Sequence, residues 1–379
     1  MATVNLPDGR RLTLSATSWG KPAGPPASRV AYAAAHVVAD PRAENAPGAP
    51  AVVDWDTTLK FRHHLWGHGL GVAEAMDTAQ RGMGLDYAAT RELIRRSAAE
   101  ARAAGGRIVA GVATDDLPAG PASLEQVLTS YRRQLADVAE AGAKPVLMCS
   151  RHLAAAARDA DDYLRVYRDL LEESDKPVVL HWLGIAFDPA LEGYWGSSDV
   201  DKATETVLEL IASNPAKVDG IKISLLDADH EIRLRRRLPE GVRLYTGDDF
   251  NYPELIRGDE RGHSDALLGI FAAIAPAAAA ALAALDEGDV SKYDRIFEPT
   301  VPLSRHIFER PTFYYKTGIV FLAWLAGHQD HFTMVGGLQS GRSVPHLAKL
   351  IELADAAGLI PDPELAAARA NGFFKVAVG

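Results

Sequence analysis

Cysteine occurs once, at Cys149, in a chain of 379 residues. No disulfide can form within the chain, so the fold has to rest on its apolar core, which suits a reducing cytoplasm. Long apolar runs are missing as well. None reaches the ~18 residues of a membrane-crossing helix. The stretch from Ala272 to Ala284 comes closest, but Pro276 interrupts it and alanine is only weakly apolar, so it reads as a tightly packed helix of a soluble protein. Between Met1 and Leu14 no basic segment precedes an apolar one, and neither secretion nor insertion into a membrane is expected. A concentrated cationic stripe is also absent. Lys and Arg number 40 against 50 Asp and Glu, and the net charge of -10 repels a phosphate backbone. A nucleic-acid partner is not expected. The short run Arg233, Arg235, Arg236 and Arg237 follows Asp227, Asp229 and Glu231 and reads as a solvated helix face.

What is present is an ordinary globular composition, 47% hydrophobic and 24% charged, able to bury a sizeable core. Around Pro7-Asp8-Gly9, the residues from Val4 to Ser15 alternate polar and apolar, which predicts a small N-terminal hairpin. Short apolar runs then alternate with longer segments of helical period. The runs are Val30 to Val38, Leu70 to Met76, Ile108 to Ala113, Val146 to Cys149, Val178 to Trp182, Ile221 to Leu225, Val242 to Thr246 and Ala266 to Ile270. The helical segments include Tyr87 to Ala104, Ser123 to Ala141, Asp161 to Glu173 and Asp199 to Asn214. Alternating strand and helix imply a parallel sheet, and strands buried on both faces explain the continuous apolar runs. Eight such units predict closure as a (β/α)8 TIM barrel over residues 1–288. Residues 289–379, with helical segments at Ile296 to Phe308, Lys316 to Ala326 and Val344 to Ala356, are expected to form a helical extension packed on the barrel.

In a parallel barrel the chemistry gathers at the carboxyl ends of the strands. The polar residues there are His36, Asp77, Thr78, Thr114, Asp115, Ser150, Arg151, His152, His181, Lys222, Ser224, Thr246, Asp248 and Asp249, with His263 and Asp265 beside the last strand. Lys222 lies in Gly220-Ile221-Lys222-Ile223-Ser224, between apolar residues whose side chains point the other way, so its amine is expected to face the barrel interior. Burial disfavours the charged ammonium and makes the lysine a usable nucleophile toward a carbonyl. A structural lysine paired with a nearby Asp is the plainer alternative, and Asp248-Asp249 can serve merely to cap the turn after strand seven.

The run Val178-Val179-Leu180-His181, then Gly220-Ile221-Lys222, then Thr246-Gly247-Asp248-Asp249 resembles the signatures of strands five, six and seven in the dihydrodipicolinate synthase and N-acetylneuraminate lyase superfamily. Asp54-Trp55-Asp56, and Ser264 to Pro276 with its Ile274-Ala275-Pro276 ending, extend the similarity over most of the barrel. The resemblance implies class I aldolase chemistry, a Schiff base on Lys222 and a homodimer or homotetramer. It also has gaps. Where the family carries Gly-Thr-Thr-Gly-Glu after strand two, this chain reads Asp77-Thr78-Ala79-Gln80-Arg81. His181 stands where a strand-five tyrosine is expected, and Ser150-Arg151-His152 replaces Pro-Tyr-Tyr. The arginine expected soon after strand five is missing.

A divergent branch is therefore expected: a lyase, by aldol cleavage or dehydration, of a polar keto compound such as an oxidised sugar or polyol. Lys222 would be the nucleophile, and His181 and His152 would move protons. Asp77, Thr78, Arg151, Ser224, Thr246, Asp248 and Asp249 would hold the substrate. No cofactor is expected on this reading. A metal-dependent barrel lyase or isomerase is the competitor, with His36, His152, His181, Asp248 and His263 as ligands for a divalent metal, although no His-Glu-x-x-His signature supports it. A non-catalytic sugar-binding barrel is the third reading. The segment Val335 to Ser343, with its glycines, Arg342 and hydroxyls before a helix, reads as a helix cap or subunit contact sooner than as a phosphate site.

Overall fold

The computed structural model describes residues 2–379. Among these residues ten strands are present: β1 (Thr3–Asn5), β2 (Arg11–Thr13), β3 (Ala31–Ala34), β4 (Gly71–Glu74), β5 (Ile108–Val112), β6 (Lys144–Leu147), β7 (Val178–Leu183), β8 (Val218–Ser224), β9 (Arg243–Thr246) and β10 (Asp265–Leu268). The first two pair antiparallel about the Asp8-Gly9 turn, where Gly9 takes φ +86°. The other eight run parallel and close into a barrel in chain order, with β10 beside β3. Each expected apolar run supplies one barrel strand. Their side chains alternate. Tyr32, Ala73, Val109, Val146, Val179, Tyr245 and Leu267 pack on one another inside the barrel, while their neighbours pack outward under the helices.

Local chemistry explains why the helices begin and end where they do. Tyr87–Ala104 starts at Asp86, which accepts from the Ala89 amide, and stops at Gly105 in the left-handed region. Leu124–Ala141 carries a capping box made by Ser123 and Gln126. Asp159 and Asp199 cap Ala160–Glu173 and Val200–Ser213. The alanine-rich stretch is the packed helix Ala275–Asp286.

Departures from expectation lie mostly near the C-terminus. The single helix expected at Ile296 to Phe308 is two, Val290–Phe297 and Thr300–Ile307, broken at Glu298-Pro299, because proline has no amide hydrogen to continue the helix. A last helix, Pro363–Val378, was not anticipated, although Asp362 followed by Pro363 is a regular start signal. Its Asn371 accepts from the Asn5 amide at 2.8 Å and donates to the Thr3 carbonyl at 2.9 Å, tying the hairpin to the end of the chain. The basic run is not wholly solvated either: Arg235 is half-buried, donating to Ser264 Oγ and pairing with Asp259. Phe308, Tyr315, Phe321, Leu350 and Phe374 from the C-terminal helices join the same apolar core as the outer face of the barrel. Among the described residues no helix is long and apolar enough to cross a membrane.

Candidate active site

Lys222 is the fifth residue of β8, in register with His181 on β7 and Tyr245 on β9. Tyr245 belongs to the barrel interior, so Lys222 and His181 point inward with it. The lysine side chain is 93% buried, its relative exposure being 7%. It reaches the carboxyl end of the barrel because β9 is followed by Gly247. A Cβ at that position would collide with Ser224 Oγ and come within 2.6 Å of Lys222 Cε.

Around the amine is a narrow chamber of about 10 Å³, room for roughly one water. Asp77, Thr78, Ser224, Asp249 and Tyr315 supply its polar wall, and Ala34, Met76, Leu183 and Phe187 its apolar one. Burial lowers the Lys222 pKa from its ordinary 10.5, and the carboxylates of Asp77 and Asp249 act against that shift. The same burial raises Asp249 to about 7, although its Oδ1 accepts the Ile270 amide at 2.8 Å. Burial thus moves the amine and the Asp249 carboxyl toward each other's titration range. Thr78 Oγ1 and the Tyr315 hydroxyl share a hydrogen bond of 2.8 Å. Desolvation, with Asp77 and Asp249 nearby, raises the Tyr315 pKa well above 10, so the phenol keeps its proton.

Beside the chamber, and sharing Asp77 and Leu183 with it, lies a cavity of about 460 Å³, a volume typical of small-molecule sites. Its wall is largely apolar, with Leu117, Met148, Leu183 and Leu191 among the lining, and its polar groups are paired with one another. Arg81 binds Asp115 in a bidentate pair at 2.8 and 2.7 Å, and Arg151 pairs with Asp188 at 2.6 Å. His152 donates from Nε2 to the Pro118 carbonyl, which leaves Nδ1 to accept from Thr114 Oγ1 at 3.0 Å. Thr114 also bonds to Ser150. His181 faces this cavity and lies 3.3 Å from Ser224 Oγ. Burial and the Lys222 charge hold the His181 pKa well below 6.5, so its imidazole is neutral.

Of the residues expected in the site, Lys222, Asp77, Thr78, Ser224 and Asp249 meet in the chamber, and His181, His152 and Arg151 line or adjoin the larger cavity. Thr246 and Asp248 do not join them. Thr246 is one residue past inward-facing Tyr245 and points outward, donating to Glu231 Oε2 at 3.1 Å. Asp248 closes the turn after β9 by accepting from the amides of Phe250 and Asn251 and from the Asn251 side chain. The proposed metal ligands are likewise dispersed. His36 is buried against Phe61 and bonded to Gln329, His263 sits on the outer surface, and neither forms a ligand cluster with His152, His181 or Asp248. Tyr315 comes from the C-terminal extension, where the sequence offers His306, Tyr314, Tyr315 and Lys316 as residues that could close over the site, and it enters the chamber from above the barrel.

A sequence-family model described as "Protein of unknown function (DUF993)" matches residues 8–378. No curated protein matches the chain. Among solved structures, dihydrodipicolinate synthase from Aquifex aeolicus superposes with a TM-score of 0.66 at 13% identity, covering 88% of this chain and 99% of its own. A putative dihydrodipicolinate synthetase from Pseudomonas aeruginosa gives 0.64 at 17% identity, with coverage of 86% and 99%. YagE, a prophage protein of the dihydrodipicolinic acid synthase family from E. coli K12 solved in complex with pyruvate, gives 0.67 at 16% identity, covering 87% and 99%. These likenesses establish that the barrel has the dihydrodipicolinate synthase fold.

Proposed function

The chain belongs to the DUF993 family, and from that premise and its fold we propose that it is a lyase that forms a Schiff base between Lys222 and a polar keto substrate. The observation that carries the proposal is a lysine with a lowered pKa, enclosed at the carboxyl end of a barrel strand beside a carboxyl group raised to about 7. Burial that disfavours the ammonium favours the neutral amine, the form that adds to a ketone.

The neutral Lys222 amine adds to the carbonyl carbon, and loss of water leaves an iminium. Cleavage of the bond between the α and β carbons sends its electron pair into the iminium, while the β-hydroxyl loses its proton and becomes the second carbonyl. Loss of an α-proton followed by departure of the β-hydroxyl as water gives dehydration from the same intermediate. After cleavage, protonation of the enamine and hydrolysis release the lysine; after dehydration, hydrolysis of the unsaturated iminium releases it. Asp249 is suited to accept and return a proton because its pKa lies near 7. Tyr315, protonated and hydrogen-bonded to Thr78, is suited to donate one.

The substrate class follows from which donors are free. After β4 the amides of Ala79 and Gln80 are already spent, the first on the Met76 carbonyl and the second on that of Asp77. They offer no cradle to the carboxylate of a 2-keto acid. The neighbouring cavity combines apolar side chains with hydroxyls, an imidazole and Arg-Asp pairs that neutralise each other, and with no unpaired cation there among the described residues to hold a carboxylate we read the substrate as an uncharged polar ketone such as an oxidised sugar or polyol. The test is borohydride reduction with a panel of ketoses, keto sugars and 2-keto acids, read by intact mass. A substrate-dependent adduct that maps to Lys222 and vanishes in Lys222→Ala is expected, and no adduct with any carbonyl compound would sink the proposal.

A further inference from the structure

Away from the chamber, His306, Glu309 and His346 bring two imidazoles and a carboxylate together, with ligand atoms that all lie within 4.8 Å of one another. We propose that these three residues form a binding site for a divalent transition-metal ion of the zinc class, which clasps the C-terminal cap of the barrel.

The argument begins with the tautomer of His306. Its Nε2 lies 2.9 Å from the His346 carbonyl, an oxygen that can only accept, so Nε2 carries the hydrogen and Nδ1 keeps its lone pair. That lone pair faces Glu309 Oε2 at 3.5 Å. In the neutral ring two acceptors then face each other, an arrangement relieved by a proton shared between them or by a cation bound there. An imidazole anchored to a carbonyl through its distal nitrogen is also the usual outer-shell arrangement of a metal-ligating histidine. His346 adds Nδ1 at 2.8 Å from Glu309 Oε1, and the two rings stack with centroids 4.0 Å apart. Ligands of a tetrahedral zinc ion stand about 3.3 Å apart, so groups that already lie within 4.8 Å of one another have to draw together by at most about 1.5 Å. Two nitrogens and one carboxylate oxygen suit a borderline ion such as zinc and serve poorly for magnesium. Glu309 is half-exposed and pairs with no Lys or Arg among the described residues, which leaves it available as a ligand with a fourth position open to water.

The surroundings hold the ligands in place. Arg342 donates to the carbonyls of Ile307 and Glu309 at 3.2 and 2.7 Å, and Ser343 caps the helix that carries His346, accepting from the His346 amide. These bonds give the Gly/Ser/Arg segment a scaffolding role. Phe308, between His306 and Glu309, stacks on Tyr315 with centroids 4.3 Å apart. An ion at the site would join the end of Thr300–Ile307 to the start of Val344–Ala356 and fix the segment from which Tyr315 enters the chamber.

The test uses the full chain, freed of metal by dialysis against a chelator and titrated with Zn²⁺ by calorimetry, with Mg²⁺ as the hard-ion control. Binding of one Zn²⁺ is expected, weakened at least tenfold by Glu309→Gln and at least a hundredfold by His346→Ala, with no saturable uptake of Mg²⁺. Glu309→Gln changes a half-exposed side chain to its isostere, so its result stands even if His346→Ala misfolds. Hydrogen exchange across residues 300–316 should slow when Zn²⁺ binds the wild type. Absence of saturable Zn²⁺ binding, binding unchanged by Glu309→Gln, or exchange unaltered by bound Zn²⁺ would each overturn the proposal.

Discussion

Tyr315 and Gly247 are the single residues on which the Lys222 reading turns. If Tyr315 donates a proton, Tyr315→Phe removes the donor while leaving the ring packed on Phe308. Borohydride trapping of Lys222 should persist, and turnover of the trapped substrate should fall by about 100-fold, within the range of general acid catalysis. Turnover unchanged in that variant would remove Tyr315 from the mechanism. Gly247 acts through space. A methyl group there has to displace Lys222 Cε and Ser224 Oγ, so Gly247→Ala is expected to abolish the adduct while circular dichroism still reports a folded barrel. An adduct yield equal to wild type would mean that the lysine has another route into the chamber.

Between β9 and the helix Ala228–Arg235 the barrel hides a titrating group that has no part in the proposed chemistry. Glu231 is fully buried, accepts from Thr246 and Ser264, and is raised by desolvation from 4.5 to about 8. Its folded pKa exceeds the unfolded one, so the native state binds more protons between those values and stability falls as pH rises from about 4.5 to 8. The loss is on the order of 5 kcal/mol for a shift of that size. Glu231→Gln cannot ionise and should lack this decline. Urea denaturation ought to show near-equal stability at about pH 4 and a more stable variant at about pH 9, and parallel behaviour at both pH values would refute the assignment. On the opposite side, Arg62 and Glu74 form a fully buried bidentate pair, each nitrogen within 2.9 Å of its oxygen, that anchors β4 to the helix Trp55–Gly67. Removing one partner there would strand a charge in the core.

At the scale of the molecule, the C-terminal helices and the barrel share one apolar core, and the hairpin at the start of the chain is tied to the last helix. A chain ending at residue 289 would expose the faces that Phe308, Tyr315, Phe321 and Leu350 cover. It is expected to bind a hydrophobic dye and to lose a cooperative thermal transition, whereas an independently stable barrel would melt sharply without them. The barrel itself was legible in the sequence because its signals are local. Strand runs, helical period, the Asp86 and Ser123 caps and the lysine between two apolar neighbours each depend on residues a few positions apart. Lys222 could be chosen on those grounds, and so could Asp77, Thr78 and Ser224. Thr246 looked equal to them, yet strand alternation at β9 turns it toward Glu231, and only the register with Tyr245 reveals which face it takes. Proximity decided the remainder. Thr78 and Tyr315 meet across 237 positions of chain, and His306 meets His346 across 40. No periodicity reports such pairs, because they form only when the closed barrel and the packed cap bring distant segments together. The sequence alone determined the strands, the helices and the inward lysine; the tertiary fold decided which acids, phenols and imidazoles surround them, since burial and distance, not residue type, set their pKa values.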